Sequence, residues 1–271
     1  MFVQTINPKT ISKLPELRKQ IELSKDEYAE TKLKFIRPYC VAYLDQAMRT
    51  IRKNKEVLLM PIHPDVHQYL KQCGFEFLYG KCKNAESFND DIIVPLIRFI
   101  PGEHDEENII NWLDQKVIKF IPQMNRELRK KIVENFWEIV YNAFVHSESE
   151  FGISACGQLY PQKGYFELAF YDGGVGLAKK IKKYGAIKEE YEDYLCIEWA
   201  LKEGTSTTDK PSAGLGLHFL REFLKINQGN FQFISGKGYF GNFNSSIAEK
   251  IRLDNSIEGT LINIRIIFDN K

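Results

Sequence analysis

The stretch "ENFWEIVYNAFVHSESE" (residues 134–150) predicts a helix, because its apolar residues recur at helical spacing. Three polar residues interrupt this pattern: Glu138, Asn142 and His146. They are four residues apart, so they lie along one stripe of the helix. A carboxylate, a carboxamide and an imidazole in one column indicate that this face lines a polar site while the rest of the helix packs into a core.

A glycine cluster, "YDGGVG" (171–176), follows the apolar strand pattern "YFELAFYD". Asp172 would then stand at a strand end, where its carboxylate can face a pocket. Gly174 and Gly176 would let the backbone approach a flat ligand, because glycine has no Cβ to clash. This segment is a second candidate wall of the site.

The second glycine cluster, "SAGLGLHFL" (212–220), precedes an apolar helix pattern. Glycines at the start of a helix leave free N–H groups that can bind phosphate. Upstream, "EGTSTT" (203–208) supplies hydroxyls that can donate to phosphate oxygens. Each feature alone is a weak signal, and their order and spacing together are far more specific.

In that order, residues 125–271 resemble the GHKL (Bergerat-fold) ATP-binding domain. "EIVYNAFVH" is similar to the N box of that family, "DGGVG" to its first glycine box, "AGLGL" to its second, and "GTLINI" to its last strand box. The resemblance implies a sandwich in which helices cover one face of a mixed, mainly antiparallel sheet. It also implies ATP and Mg²⁺ as ligands.

The resemblance assigns a role to each candidate residue. Asn142 would coordinate Mg²⁺, Glu138 would polarise the attacking water or hydroxyl, and Asp172 would accept from the adenine amino group. His146 would contact the phosphates or remain a buried, hydrogen-bonded histidine, and both readings stay open. The other nucleotide contacts would be Gly174, Gly176, Thr205, Ser206, Gly214, Leu215, Gly216, Leu217 and Thr260.

Residues 177–213 connect the two glycine clusters and would form a lid over the triphosphate. We expect few obligatory core contacts there, so that the lid orders with ATP and loosens with ADP. The alternative is a fixed segment in which Leu195, Trp199 and Leu201 pack permanently.

Residues 1–102 alternate strand-like and helical patterns, which indicates a small α/β domain. The first strand is expected at 32–36, and a later one at 91–100 contains Pro95, which favours a sheet edge. This region loosely resembles the STAS-like region that precedes some bacterial GHKL domains. A connecting helix is expected within 103–124, so the chain as a whole is predicted to be α+β.

The 37 basic and 36 acidic residues give a net charge of +1, which does not favour nucleic-acid binding. The sequence shows neither an apolar membrane span nor a signal core. Five cysteines without metal-ligand spacing indicate reduced thiols and a cytoplasmic location.

Within the family, an ATPase that acts as a nucleotide-dependent signalling switch is the preferred reading, with a protein partner and room for a homodimer. An anti-sigma-type serine/threonine kinase and a histidine-kinase-like phosphotransfer protein are the alternatives. The gyrase, mismatch-repair and chaperone branch is not expected, because its members use a lysine from a further domain and this chain ends at Lys271. His104 follows a Pro-Gly turn, with too little chain before the N box for the hairpin of a histidine kinase.

Overall fold

A large and a small sheet organise the part of the chain that the computed structural model describes, which is residues 11–24, 27–80, 91–121, 125–205, 216–226, 229–243 and 246–268. The helices are α1 (Leu14–Leu23), α2 (Pro38–Arg52), α3 (Pro64–Gln72), α4 (Phe75–Tyr79), α5 (Glu106–Trp112), α6 (Arg126–His146), α7 (Leu177–Tyr184), α8 (Asp193–Ala200) and α9 (Gly216–Ile226). The strands are β1 (Tyr28–Thr31), β2 (Leu58–Pro61), β3 (Ile93–Phe99), β4 (Ile153–Tyr160), β5 (Tyr165–Asp172), β6 (Asn230–Gly241) and β7 (Glu249–Ile267). The predicted α+β class is confirmed.

The large sheet has five strands in the order β3-β4-β5-β7-β6, and neighbouring strands are antiparallel. The hairpin of β4 and β5 closes through a short turn at Pro161–Lys163, as the sequence predicts. β3 is an edge strand, and its register shifts between Val94 and Ile97, on either side of Pro95. An edge strand tolerates a proline because its outward side needs no ladder hydrogen bond.

Helices cover both faces of this sheet. Helices α6, α8 and α9 share one face, as expected for the C-terminal part, and the layer on the other face comes from α1 and α2 of the N-terminal region, which was not predicted. On β5, Phe166, Leu168 and Phe170 belong to a core shared with α5, α6, α8 and α9. The alternate residues Ala169 and Tyr171 belong to a second core shared with α1 and α2. Every residue of β5 is buried, and a strand that is apolar on both sides needs a covering layer on each.

The N-terminal layer is built from α1 to α4 and the parallel pair β1–β2. The first strand lies at 28–31 rather than at the predicted 32–36. Residues 32–36 have irregular backbone, although the side chains of Leu33 and Ile36 are buried. β3 pairs with β4, so the boundary predicted at residue 102 falls after a strand of the large sheet. The predicted connecting helix begins as α5 and continues through a π-helical turn, Leu113–Val117, and a 3₁₀ turn, Ile118–Phe120.

Two buried carboxylates join the N-terminal layer to the sheet. Asp45 of α2 accepts hydrogen bonds from Arg98 Nε at 3.0 Å and from Ser154 Oγ at 2.6 Å. Glu167 of β5 accepts from Arg37 Nη1 and from Arg265 Nη2, each at 2.6 Å. Both carboxylates are fully buried, so removing a partner would leave an uncompensated charge.

Candidate functional site

Helix α6 carries the polar column that the sequence singles out. Its first turn is capped by Asn125, whose side-chain oxygen accepts from Leu128 N at 2.8 Å. The buried face packs on the sheet, while Glu138, Asn142 and His146 are half-buried and line a pocket beside it. Asn142 Nδ2 lies 3.5 Å from Glu138 Oε1, so the amide nitrogen faces the carboxylate. The Asn142 oxygen is then the atom that could bind a hard cation.

The end of β5 forms another part of the pocket wall. Asp172 is 5% exposed, and its Oδ1 accepts a hydrogen bond from Gly174 N at 3.1 Å. Burial raises the pKa of Asp172 to about 7, and hydrogen bonds from Gly174 and Thr260 oppose this rise. Burial also raises the pKa of Glu138, and the Asn142 hydrogen bond opposes it. The pocket therefore holds two carboxyl groups whose protonation a ligand could change.

Gly174 and Gly176, which follow Asp172, pack closely against backbone of other segments, so neither has room for a Cβ. A Cβ on Gly174 would lie 1.9 Å from Ser147 O, and Gly174 does not line the pocket. Gly176 does line it, with a φ of +83°, and its Cβ would lie 2.7 Å from Gly259 O. The glycine loop, residues 173–176, therefore packs between the end of α6 and strand β7.

Two hydroxyls cap the first turn of α7 beside the pocket. Thr260 Oγ1 accepts from Leu177 N at 2.9 Å, and Ser235 Oγ accepts from Ala178 N at 3.1 Å. Ser235 also donates to Gly259 O at 3.0 Å and is fully buried. Sequence reasoning missed Ser235, because its hydroxyl reaches α7 only through the folded sheet.

The pocket encloses about 900 Å³ of space, part of it open to solvent. Eight of the predicted residues line it: Glu138, Asn142, His146, Asp172, Gly176, Thr205, Leu217 and Thr260. Gly216 begins α9, whereas Ser206, Gly214 and Leu215 lie outside the described residues. Ser147 and Lys180 also line the pocket, and the rest of the surface is apolar and comes from Ile139, Ala143, Ile153, Phe170, Leu177, Ile181, Trp199, Ala200 and Ile262.

Lys180 is a pocket residue that the sequence reasoning did not name. Its Nζ donates to His146 O at 2.8 Å and lies 3.8 Å from Glu148 Oε1, which places an ammonium group at the end of the α6 column. A signal for it was present, since Lys180 follows Gly176 by one helical turn.

Thr205 has a different role from the one expected. Its Oγ1 lies 2.7 Å from Trp199 O and 2.8 Å from Lys202 O, so its single proton is used in the turn that ends α8. The expectation that this hydroxyl donates to a phosphate is therefore not met in this conformation.

The described part of the predicted lid, residues 177–205, has core contacts. Ala178, Ile181 and Cys196 form a small core, and Ile197 and Leu201 join the main core. This corrects the expectation of few core contacts and agrees with the alternative of a packed segment. Residues 206–213 lie outside the described residues.

No group of three or more His, Cys, Asp or Glu residues that could hold a metal occurs among the described residues. A cation in this pocket would need further oxygen ligands, for which phosphate groups are suited. None of the helices in the described ranges is long and apolar enough to cross a membrane. No protein-family model matches the sequence, and a search of curated proteins finds no match.

Proposed function

We propose that the chain is a GHKL-type ATPase that binds ATP with Mg²⁺ and acts as a nucleotide-dependent signalling switch. The observation that carries this proposal is one pocket lined both by the column Glu138–Asn142–His146 and by the paired strand residues Asp172 and Thr260. The sequence resemblance assigns these same residues to the two ends of a nucleotide.

The adenine ring would lie at the strand wall of the pocket. The apolar walls offer a dry surface for an aromatic ring, and the Asp172 carboxylate can accept from its amino group. Guanine carries an oxygen at the corresponding position, and this oxygen would face a carboxylate. Adenine is therefore the base that this wall favours.

The triphosphate would extend along the α6 column toward Lys180. Among the residues that line the pocket, Glu138 and Asp172 carry the carboxyl groups and Lys180 the ammonium group, so a polyanion needs an added cation. The side chain of Asn142 is chemically suited to hold Mg²⁺ through its oxygen, with phosphate oxygens and water as the other ligands. When bound, the ion would neutralise part of the phosphate charge.

Glu138 is suited to act as a general base. It is half-buried on the pocket wall, and burial raises the pKa of its carboxyl, which makes the carboxylate a better proton acceptor. A water oxygen would attack the γ-phosphorus, and a proton of that water would pass to Glu138. The bond between the γ-phosphorus and the oxygen that bridges the β- and γ-phosphates would break, and this oxygen would leave with ADP. The products are ADP and phosphate.

Turnover of γ-labelled ATP with Mg²⁺ tests this role. We expect Glu138→Gln to lower phosphate release by about 10²–10⁴-fold while nucleotide binding persists. The matched control is Glu134→Gln, one turn earlier on α6 and exposed, which should behave as wild type. Free phosphate supports the ATPase, whereas label on protein would favour the protein-kinase alternative. Unchanged turnover in Glu138→Gln would show that Glu138 is not the base.

A further inference from the structure

Gln46 of α2 lies against the candidate site from the opposite face of the sheet. It is 2% exposed, and its Nε2 donates to Ser154 Oγ at 2.9 Å and lies 3.4 Å from Gly152 O. Its Oε1 is buried and accepts no hydrogen bond, and it lies 3.3 Å from the point where a Cβ on Gly173 would stand. One side chain of the N-terminal layer therefore touches the start of β4 and the end of β5.

These contacts lie at the level of Asp172. In the β4–β5 ladder, Ile153 pairs with Asp172 and Ser154 pairs with Tyr171. Gln46 thus bonds to Ser154, which is next to the ladder partner of Asp172, and its Oε1 lies beside Gly173, the residue after Asp172. The carboxylate faces the pocket on one side of the sheet while Gln46 supports the same backbone from the other.

A second contact of α2 is with the segment that follows α6, the helix that carries the polar column. Arg49, three residues after Gln46, donates from Nη1 to Phe151 O at 3.1 Å, and its guanidinium lies 4.3 Å from the Phe151 ring centre. Phe151 belongs to the connection between α6 and β4. Ser147, at the start of this connection, accepts from Val175 N at 2.7 Å. Helix α2 therefore contacts the connection between α6 and β4, and this connection bonds to Val175 after the end of β5.

We propose that Gln46 is a positioning residue for the adenine end of the pocket and that through it α2 couples nucleotide binding to the N-terminal layer. This inference rests on the proposed function for the identity of the ligand. Gln46 does not reach the pocket itself; it acts through the backbone of Gly173 and the Ser154 hydroxyl. A shift of α2 would displace Asp172 relative to α6.

The action of Gln46 predicts a specific pattern of affinities. Because Asp172 would contact the base, loss of Gln46 should weaken the binding of adenosine and the binding of ATP by the same factor, roughly tenfold. Loss of Lys180, at the phosphate end, should weaken the binding of ATP and leave the binding of adenosine unchanged. A general loss of folded protein would instead lower the fraction of active sites and leave the affinity of the remaining sites unchanged.

The experiment compares Gln46→Met with wild type in the full chain. Methionine fills a similar volume without the amide, and Thr50→Val is the matched control, because Thr50 Oγ1 bonds to Gln46 O within α2 and not to the loops. Calorimetry gives the affinities for adenosine and ATP. Amide exchange without ligand reports on Gly174 and Val175, whose N–H groups bond to Asp172 and Ser147.

We expect Gln46→Met to exchange these two amides roughly tenfold faster than wild type and to bind both ligands roughly tenfold more weakly, with Thr50→Val unchanged. Wild-type affinities and exchange rates in Gln46→Met would overturn the inference. If wild type binds neither adenosine nor ATP, the proposed function fails, and the exchange rates alone then decide whether Gln46 positions the loop.

Discussion

At the scale of single residues, Asp172 links burial to chemistry. The strand places its carboxyl in an apolar surround, which raises its pKa from 3.8 to about 7. The folded state therefore holds this proton between about pH 4 and pH 7, where the unfolded state has lost it. The contribution of Asp172 to stability is fully present below about pH 4 and is lost as the pH rises to about 7.

Asp172→Asn should remove this pH dependence. The asparagine does not titrate, so the free energy of unfolding of wild type should fall relative to that of the variant as the pH rises from about 4 to 7. Urea unfolding at pH 4.5, 6 and 7.5 without nucleotide measures the difference. A constant difference between the two proteins across this range would contradict the burial argument.

Lys180→Met should weaken the binding of ATP by roughly tenfold or more, because a charge-assisted hydrogen bond contributes about 1.5–3 kcal/mol. The binding of adenosine should be unchanged. Lys179→Met is the control, since Lys179 is exposed and does not line the pocket. Titration followed by tryptophan fluorescence is suitable, because Trp199 lines the pocket. An equal loss for adenosine and ATP would place Lys180 away from the phosphates.

At the scale of elements, the sequence predicts local patterns well. The hairpin of β4 and β5 and the edge position of β3 follow from spacing or from a single proline. The helix predicted from the stretch 134–150 is present as part of α6, but it ends at His146. Helices on the second face of the sheet were not predicted. The run "YFELAFYD" shows that β5 is apolar throughout, but it does not identify the layer that covers each side. That choice depends on contacts between distant segments, such as α2 with β4 and β5.

The glycine loop illustrates the same limit at the candidate site. Its composition indicates a close approach of the backbone, but only the fold shows that the neighbour of Gly174 is Ser147 O. Likewise, the Thr205 hydroxyl bonds to the end of α8, and the Ser235 hydroxyl bonds to the start of α7 and to strand β7. Residue types that bind phosphate also cap helices, so the sequence alone does not distinguish these roles.

Gly174→Ala should destabilise the protein strongly, because a Cβ would lie 1.9 Å from Ser147 O and the backbone would have to move. Gly185→Ala is the control: its φ is +87°, but nothing lies within 4 Å, so its cost is only the backbone strain of about 1–2 kcal/mol. Urea unfolding compares the two variants. Equal losses of stability in the two variants would show that the backbone around Gly174 moves at little cost to accommodate a Cβ.

At the scale of the whole molecule, the N-terminal layer and the large sheet form one structural unit. One hydrophobic core runs from Leu14 of α1 to Leu261 of β7, and the buried carboxylates Asp45 and Glu167 bridge the layers. This arrangement gives the proposed switch a physical path, since Gln46 of α2 lies beside Gly173 and bonds to Ser154 of β4. It also implies that neither layer unfolds alone.

Glu167→Gln should therefore destabilise the whole chain by about 3–5 kcal/mol, because it leaves Arg37 and Arg265 without a buried counter-charge. Unfolding should remain one transition in both proteins, with tryptophan fluorescence and far-ultraviolet circular dichroism coinciding. Glu134→Gln, a change at an exposed carboxylate, should be close to neutral. Two separate transitions in wild type would contradict a shared core.

Calorimetric titration with ATP and with GTP in the presence of Mg²⁺ tests the central claim most directly. We predict that one ATP binds per chain, that GTP binds at least roughly tenfold more weakly, and that Asn142→Ala removes the dependence of ATP binding on Mg²⁺. Absence of ATP binding, or equal affinities for ATP and GTP, would contradict the assignment of this pocket to a magnesium-bound adenine nucleotide.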